Sequence, residues 1–411
     1  MLCCFAAALL LVFSAEGTLM GPLHGYRIVD LTSNISGPLA TMILGDQGAD
    51  VIKVESPEGD HTRAAATRRG GFSASFLNNN RNKRSVVLDL KTEAARDALL
   101  RLAATADVLV QNFRPGVAER LGIGEAAVRA VAPSIVYVSI SGFGERGPYA
   151  AKPAYDPVVQ ALSGLASIQG GSDAERPRLI RTILPDKLTA VTASQAITAA
   201  LLARAKSGEG QHVRLAMLDA VLAFMWSSDM SAQTFVDGEP VQQPAASSID
   251  LIYATADHHI SVAVQTNRQW QGLARALGHA EWLDDPRFAT PAARQQNIDE
   301  RLRLTQETLL TRPAAEWLER LAEADVPCAP VMTRSEVTQH PQVVANETIV
   351  EMAHPAAGRL RQARAAARFS VTPAAIRRGA PKLGEHTEEV LRELGYGADA
   401  IAAMQGERTA A

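Results

Sequence analysis

The stretch RTILPDKLTA, Arg181 to Ala190, sets one acid, Asp186, between an apolar run ending at Pro185 and an alanine-rich segment of helical period. A second acid, Asp156, follows Tyr155 and opens DPVVQALSGLA with Pro157 beside it. An aspartate just ahead of a helix caps it, worth about 1 kcal/mol, and proline suits the first helical position. The same place suits a nucleophilic carboxylate, because a helix N-terminus keeps the group ionised. Local pattern leaves both roles open for both acids.

Other residues narrow the chemistry. The nine histidines are scattered, without the i, i+4 pair of a helical metal site, and no metal is expected. GxSxG is absent, so no serine–histidine triad is indicated. Cys3, Cys4 and Cys328 form neither a disulfide framework nor a zinc pattern, which fits a reducing, cytoplasmic setting. Cys328, between prolines in VPCAPV, reads as packed rather than reactive. The run from Gly142 to Gly147 matches GxGxxG after a strand, but Pro148 and two further prolines deny it the helix a dinucleotide site needs. It reads as a turn-rich loop.

Arg81, Lys83, Arg84, Lys91, Arg114 and Arg120 fall at strand edges or in the loops that follow. In an open α/β sheet, ligands bind beyond the carboxyl ends of the strands. Asn112, Phe113 and Arg114 offer an amide, an aromatic face and a guanidinium, a set that meets an adenine with phosphates. A solvated charged surface uses the same residues.

The elements that position these groups alternate. RIVDL, DVIKVE, SVVLDL, DVLVQNF and IVYVSIS read as buried strands with helical segments between them, predicting a parallel sheet covered on both faces. A helix is expected from about Leu188 to Ala205, stopped by Gly208 and Gly210. HVRLAMLDAVLAFMW then reads as a strand leading into a helix. SSDMSAQTFVDGEPVQQPAASS is a linker, and DLIYATADHHISVAV a hairpin with His258 and His259 at its exposed turn.

This gives a division into residues 1–19, a mis-assigned start or signal-like segment outside the fold; 20–226, the first part of a large domain; 227–335, the linker and a smaller α+β domain; and 336–411, a return to the large domain. The 411 residues, 47 % hydrophobic and 21 % charged, suit a globular two-domain chain. A net charge of −3 gives no case for nucleic acid or an anionic membrane, and no membrane span is expected.

Taken in order, LHGYRIVDLT, GPLATMILGDQGADVIKVE, NRNKRSVVLDLK, QNFRPGVAERLG, SISGFGERGP, AYDPVVQALSG, SGEGQHVRLAMLDAVLAF, DDPRFAT, VPCAPV and PKLGEHTEEVLRELG resemble the family III CoA-transferases, from Leu23 to Gly395. The resemblance implies an α/β fold with a Rossmann-like large domain and a small domain, two chains interlocked as a homodimer. It implies CoA transfer from an acyl-CoA donor to a carboxylic acid, with the CoA thioester as substrate and no resident cofactor. Asp186 matches the nucleophile. Tyr155, Asp156 and Met217 match the active-site lining, and Leu88, Lys91, Asn112, Phe113, Arg114 and Arg120 match the CoA contacts. Ser56 stands where some members place an arginine.

Two alternatives follow. The related α-methylacyl-CoA racemases place a histidine where Tyr155 stands, so a proton-transfer partner is missing here. A CoA-binding protein without turnover would not need Asp186. Oxalate-using relatives carry a glycine run early in the small domain; PAASSIDLIY has none, and oxalate is expected to be a poor acceptor.

Overall fold

In the computed structural model, residues 20–171, 175–238 and 251–406 are described. The chain divides into two compact units, Met1–Ala166 with Leu179–Val241 and Thr348–Ala411, and Ser167–Arg178 with Gln242–Glu347.

In the first unit, β-branched runs form six strands: β1 (Arg27–Asp30), β2 (Asp50–Glu55), β3 (Lys83–Val87), β4 (Val108–Gln111), β5 (Val136–Ser141) and β6 (His212–Ala216). Their spatial order is β3-β2-β1-β4-β5-β6, and every pairing is parallel. Successive side chains on a strand point to opposite faces. Ile28, Val51, Val110 and Val138 therefore pack with Leu44, Ala190, Ala193 and Ile197 on one face. Val29, Ile52, Leu109 and Tyr137 pack with Leu99, Leu102, Val128 and Leu391 on the other.

The first face is covered by α1 (Ser36–Asp46), and the second by α2 (Glu93–Ala104) and α3 (Glu125–Val131). Farther along are α4 (Asp156–Leu162), α5 (Leu184–Ser207) and α6 (Met217–Met225). Helix α5 joins the first face through Ala190, Ala193, Ile197 and Leu201. Gly208 ends it in the left-handed conformation, φ +77°.

Two expectations need correction. Helix α5 begins at Leu184, a turn earlier than its composition suggested, because Pro185 sits in the first turn where its missing N–H costs nothing. In α4 the N-cap is Tyr155, and Asp156 is the first helical residue rather than the cap. By length and composition, α5 is also apolar enough to cross a membrane, although no such segment was anticipated; in the fold it is a core helix against the sheet.

In the second unit, β7 (Ile252–Ala254), β8 (His259–Val262) and β9 (Cys328–Pro330) form an antiparallel sheet with β8 central. Helices α7 (Asn267–Leu277), α8 (Ile298–Leu309) and α9 (Ala314–Glu323) pack around Trp270, Trp282, Phe288 and Trp317. Thr266 and Gln269 complete a capping box at the start of α7. In the first unit, β10 (Ile349–His354) pairs with β11 (Gly358–Ala363), and α10 (Thr387–Glu393) packs by Val390 and Leu391 on the α2 face.

Candidate active site

Asp186 is the third residue of α5, and its N–H donates to Asp156 Oδ2 at 3.3 Å. The cap expected from Asp186 is thus supplied to it, by the carboxylate of another helix. Asp156 is buried, and its other oxygen accepts from Gln160 Nε2 at 2.7 Å. Gln160 Oε1 in turn accepts the N–H of Ile180 at 2.9 Å, fixing the approach to α5. Ser36, the first residue of α1, acts on the Asp186 carboxyl and lowers its pKa.

Burial and the neighbouring Asp156 charge push the Asp186 carboxyl up to about 6, against the lowering effect of Ser36. Among the described residues no lysine, arginine or histidine forms an ion pair with it. At neutral pH this is an ionised, weakly stabilised carboxylate, poised to attack a carbonyl carbon. Sequence reasoning did not find Ser36. Its only signal is a serine opening a helix after a strand and loop, and nothing local ties it to Asp186.

The residues matched to CoA contacts separate into groups. Leu88, just beyond β3, lines a cavity of about 350 Å³ with Lys91, Phe113, Leu31 and Leu121. Ser56 lies on the same wall. Phe113 also borders a neighbouring cavity of about 530 Å³ that contains Arg114. Asn112 instead turns to the backbone of Ser33, accepting its N–H at 3.0 Å and donating to its carbonyl at 2.9 Å. Arg120 is exposed, Tyr155 is 68 % exposed, and Met217 is buried at the start of α6.

The basic cluster is smaller than its spacing suggested. Arg81 is buried against Asp46, Lys83 against Asp30, and Arg84 bridges Asp50, Glu389 and Glu393. Lys83 and Arg84 open β3, so they sit at the amino end of that strand, away from the ligand edge of such a sheet. Lys91, Arg114 and Arg120 remain exposed. Burial raises the Cys328 thiol, as expected for a packed cysteine.

A carboxylate without a cationic partner at a helix start is a group able to act as a nucleophile, on the scaffold of a parallel α/β sheet. The chain belongs to the CoA-transferase family III, whose model matches residues 23–387. Formyl-CoA:oxalate CoA-transferase of Streptomyces coelicolor is 35 % identical over 91 % of this chain and 96 % of its own length. Succinate–glutarate CoA-transferase of Agrobacterium fabrum is also 35 % identical, over 91 % and 96 %. The crystal structure of Rv3272 from Mycobacterium tuberculosis superimposes with a TM-score of 0.80 at 31 % identity, covering 90 % of this chain and 99 % of that one. The enzyme is a CoA-transferase, with a CoA thioester as substrate.

Proposed function

We propose that Asp186 is the nucleophile of CoA transfer. The observation that carries this reading is a half-buried carboxylate at the start of α5, beside Asp156 and with no cationic partner among the described residues. Its oxygen attacks the acyl-CoA carbonyl, and the C–S bond breaks to release CoA thiolate and leave an aspartyl mixed anhydride. The thiolate attacks the aspartyl carbonyl, giving an enzyme-bound CoA thioester and freeing the donor acid. An acceptor carboxylate attacks that thioester, and the returning thiolate takes the new acyl group from the second anhydride. Asp186 is regenerated.

In this reading, Leu88, Lys91 and Phe113 hold the base end of CoA, and Asn112, Arg114 and Arg120 serve its polar portion. Tyr155, Asp156 and Met217 line the reacting centre. The acceptor is a carboxylic acid, and a dicarboxylate half-ester such as succinyl-CoA is a donor in keeping with the succinate–glutarate relative. Oxalate is a poor acceptor; the glycine-free stretch behind that expectation falls mostly on residues 244–250, outside those described.

The large domain is read as Rossmann-like, supported by its strand order. The small domain is read as 227–335 with its linker, and the chain as cytoplasmic. The protein is further read as an interlocked homodimer. Support comes from exposed Tyr155, Val158, Leu162, Ile183, Val191, Leu202, Phe224, Trp226 and Phe235, an apolar series unusual for a chain that stands alone.

Mass spectrometry after incubation with acyl-CoA and hydroxylamine tests the mechanism. A hydroxamate on Asp186 supports it; full transfer by Asp186→Ala overturns it. Exchange of solvent deuterium into a 2-methylacyl-CoA would favour the racemase chemistry instead. Efficient formyl transfer to oxalate would sink the acceptor reading.

A further inference from the structure

Gln160 is only 1 % exposed, and the steps of acyl transfer leave it without a role. It stands four residues after Asp156 on α4, so the two side chains share one face of that helix. Gln160 Nε2 donates to Asp156 Oδ1 at 2.7 Å, and Asp156 Oδ2 accepts the Asp186 N–H at 3.3 Å. The amide also reaches the chain that leads into α5. Gln160 Oε1 accepts the Ile180 N–H at 2.9 Å, and Nε2 lies 3.4 Å from the carbonyls of Ile180 and Thr182. The Thr182 carbonyl accepts the Leu184 N–H at 2.8 Å, closing the turn before the helix. From one side chain, then, one route runs to Asp186 through Asp156 and another along residues 180–186.

We propose that Gln160 is a positioning residue for Asp186, fixing from α4 both the carboxylate that receives the Asp186 N–H and the segment that enters α5. The inference rests on Asp186 as the nucleophile. Methionine would fill the same space with no polar group to satisfy. The amide instead has both ends matched, and in one orientation only. Turned over, it would set its oxygen against a carboxylate and its NH2 against an N–H. An ionised glutamate could accept from Ile180 but not donate to Asp156. A reacting group displaced by about 1 Å loses up to about 100-fold in rate, so this tether bears on the chemical step more than on binding.

The test compares Gln160→Met, Gln160→Glu and the double variant Asp156→Asn with Gln160→Glu. The double variant reverses the pair. Its new NH2 donates to the new carboxylate, while the Asp186 and Ile180 N–H groups each keep an oxygen. It gives up the two 3.4 Å contacts to the carbonyls. Rates are read at a pH above the acid limb, where a change in the titration of Asp186 has no effect. Both single variants are expected to lower kcat by about 10- to 100-fold, with the KM for acyl-CoA changed less than about threefold. The single-turnover rate of Asp186 acylation, followed by hydroxylamine trapping and mass spectrometry, should fall by the same factor as kcat. The double variant is expected to recover most of that rate.

Single variants that fold and turn over at the wild-type rate overturn the proposal, as does a loss confined to the KM for acyl-CoA. A double variant that regains the wild-type melting temperature without the rate also overturns it, since Gln160 would then serve the fold alone. If the single variants do not fold, the double variant decides by the same criterion, and its own failure to fold counts against the proposal. A wild-type enzyme that forms no adduct on Asp186 removes the nucleophile reading, and this inference with it. A wild-type adduct beside undiminished Gln160 variants removes this inference alone.

Discussion

Asp30 and Asp186 are both withdrawn from water in the same α/β unit, and their surroundings drive them in opposite directions. Burial alone would raise each carboxyl. At Asp30 the charges of Lys83 and Lys53 and the bond from Thr32 more than reverse that effect, leaving the acid well below the usual carboxylate range. At Asp186 the nearest charge is another aspartate, and the acid rises to about 6. A carboxylate satisfied by cations has no reason to react. One left without a cation and beside a like charge has little to lose by forming an anhydride.

The sharpest test of that contrast is the loss of transfer. Asp186→Ala is expected to lower kcat by at least about 10³-fold, since removal of a covalent nucleophile leaves only binding and orientation. Steady-state assays with any competent acyl-CoA and acid pair would show it. Thermal melting of the same variant should show no loss of stability, because Asp186 anchors no ion pair.

At the other acid the expected effect is on folding. Lys83→Met strands Asp30 in the core and should cost about 3–5 kcal/mol. Pairing it with Asp30→Asn should return much of that loss. Urea titration of the two variants checks the difference. The sign of the pH dependence follows from the lowered Asp30 pKa: its stabilisation is present above about pH 4 and fades as the pH falls through the folded-state value.

The contrast was only partly legible in the sequence. The strands were visible because both faces of the sheet are buried, which makes RIVDL and DVIKVE almost continuously apolar or β-branched. Lys83 looked like a ligand-facing or surface charge, since a sequence shows a lysine but not the buried aspartate opposite it. Asp30 and Lys83 are 53 residues apart, and Ser36 and Asp186 are farther still. Asp186 was found through the order of motifs along the whole chain. Its capping by Asp156, from a different helix, had no local signature. Pro185 was read as the end of a run when it lies in the first turn of α5, because proline serves both boundaries.

A reactive acid held this way should also weaken the fold. The folded-state pKa of Asp186, about 6, lies above its ordinary value of 3.8. Its contribution to stability is therefore present below about pH 4 and is lost as the pH rises through 6. At pH 7 the ionised group is a liability on the order of 2 kcal/mol. Asp186→Asn should melt at higher temperature than the wild type at pH 7, and the gain should vanish near pH 4. An unchanged melting temperature at pH 7 would mean that the acid is better solvated than its burial implies.

The smallest expected effect separates the two causes of the Asp186 shift. Asp156→Asn removes the like charge and keeps one oxygen, which can go on accepting the Asp186 N–H if the new NH2 turns toward Gln160, so the start of α5 is kept at the cost of the Gln160 Nε2 bond. With only burial left to raise it, Asp186 should titrate lower, and the acid limb of kcat/KM should follow. Transfer at pH 5 would then rise relative to pH 7, even if the maximum rate falls. A limb that stays in place would assign the whole shift to burial, leaving Asp156 as a cap alone. A limb that moves upward would mean that the amide has disturbed α5, which a lowered melting temperature would confirm.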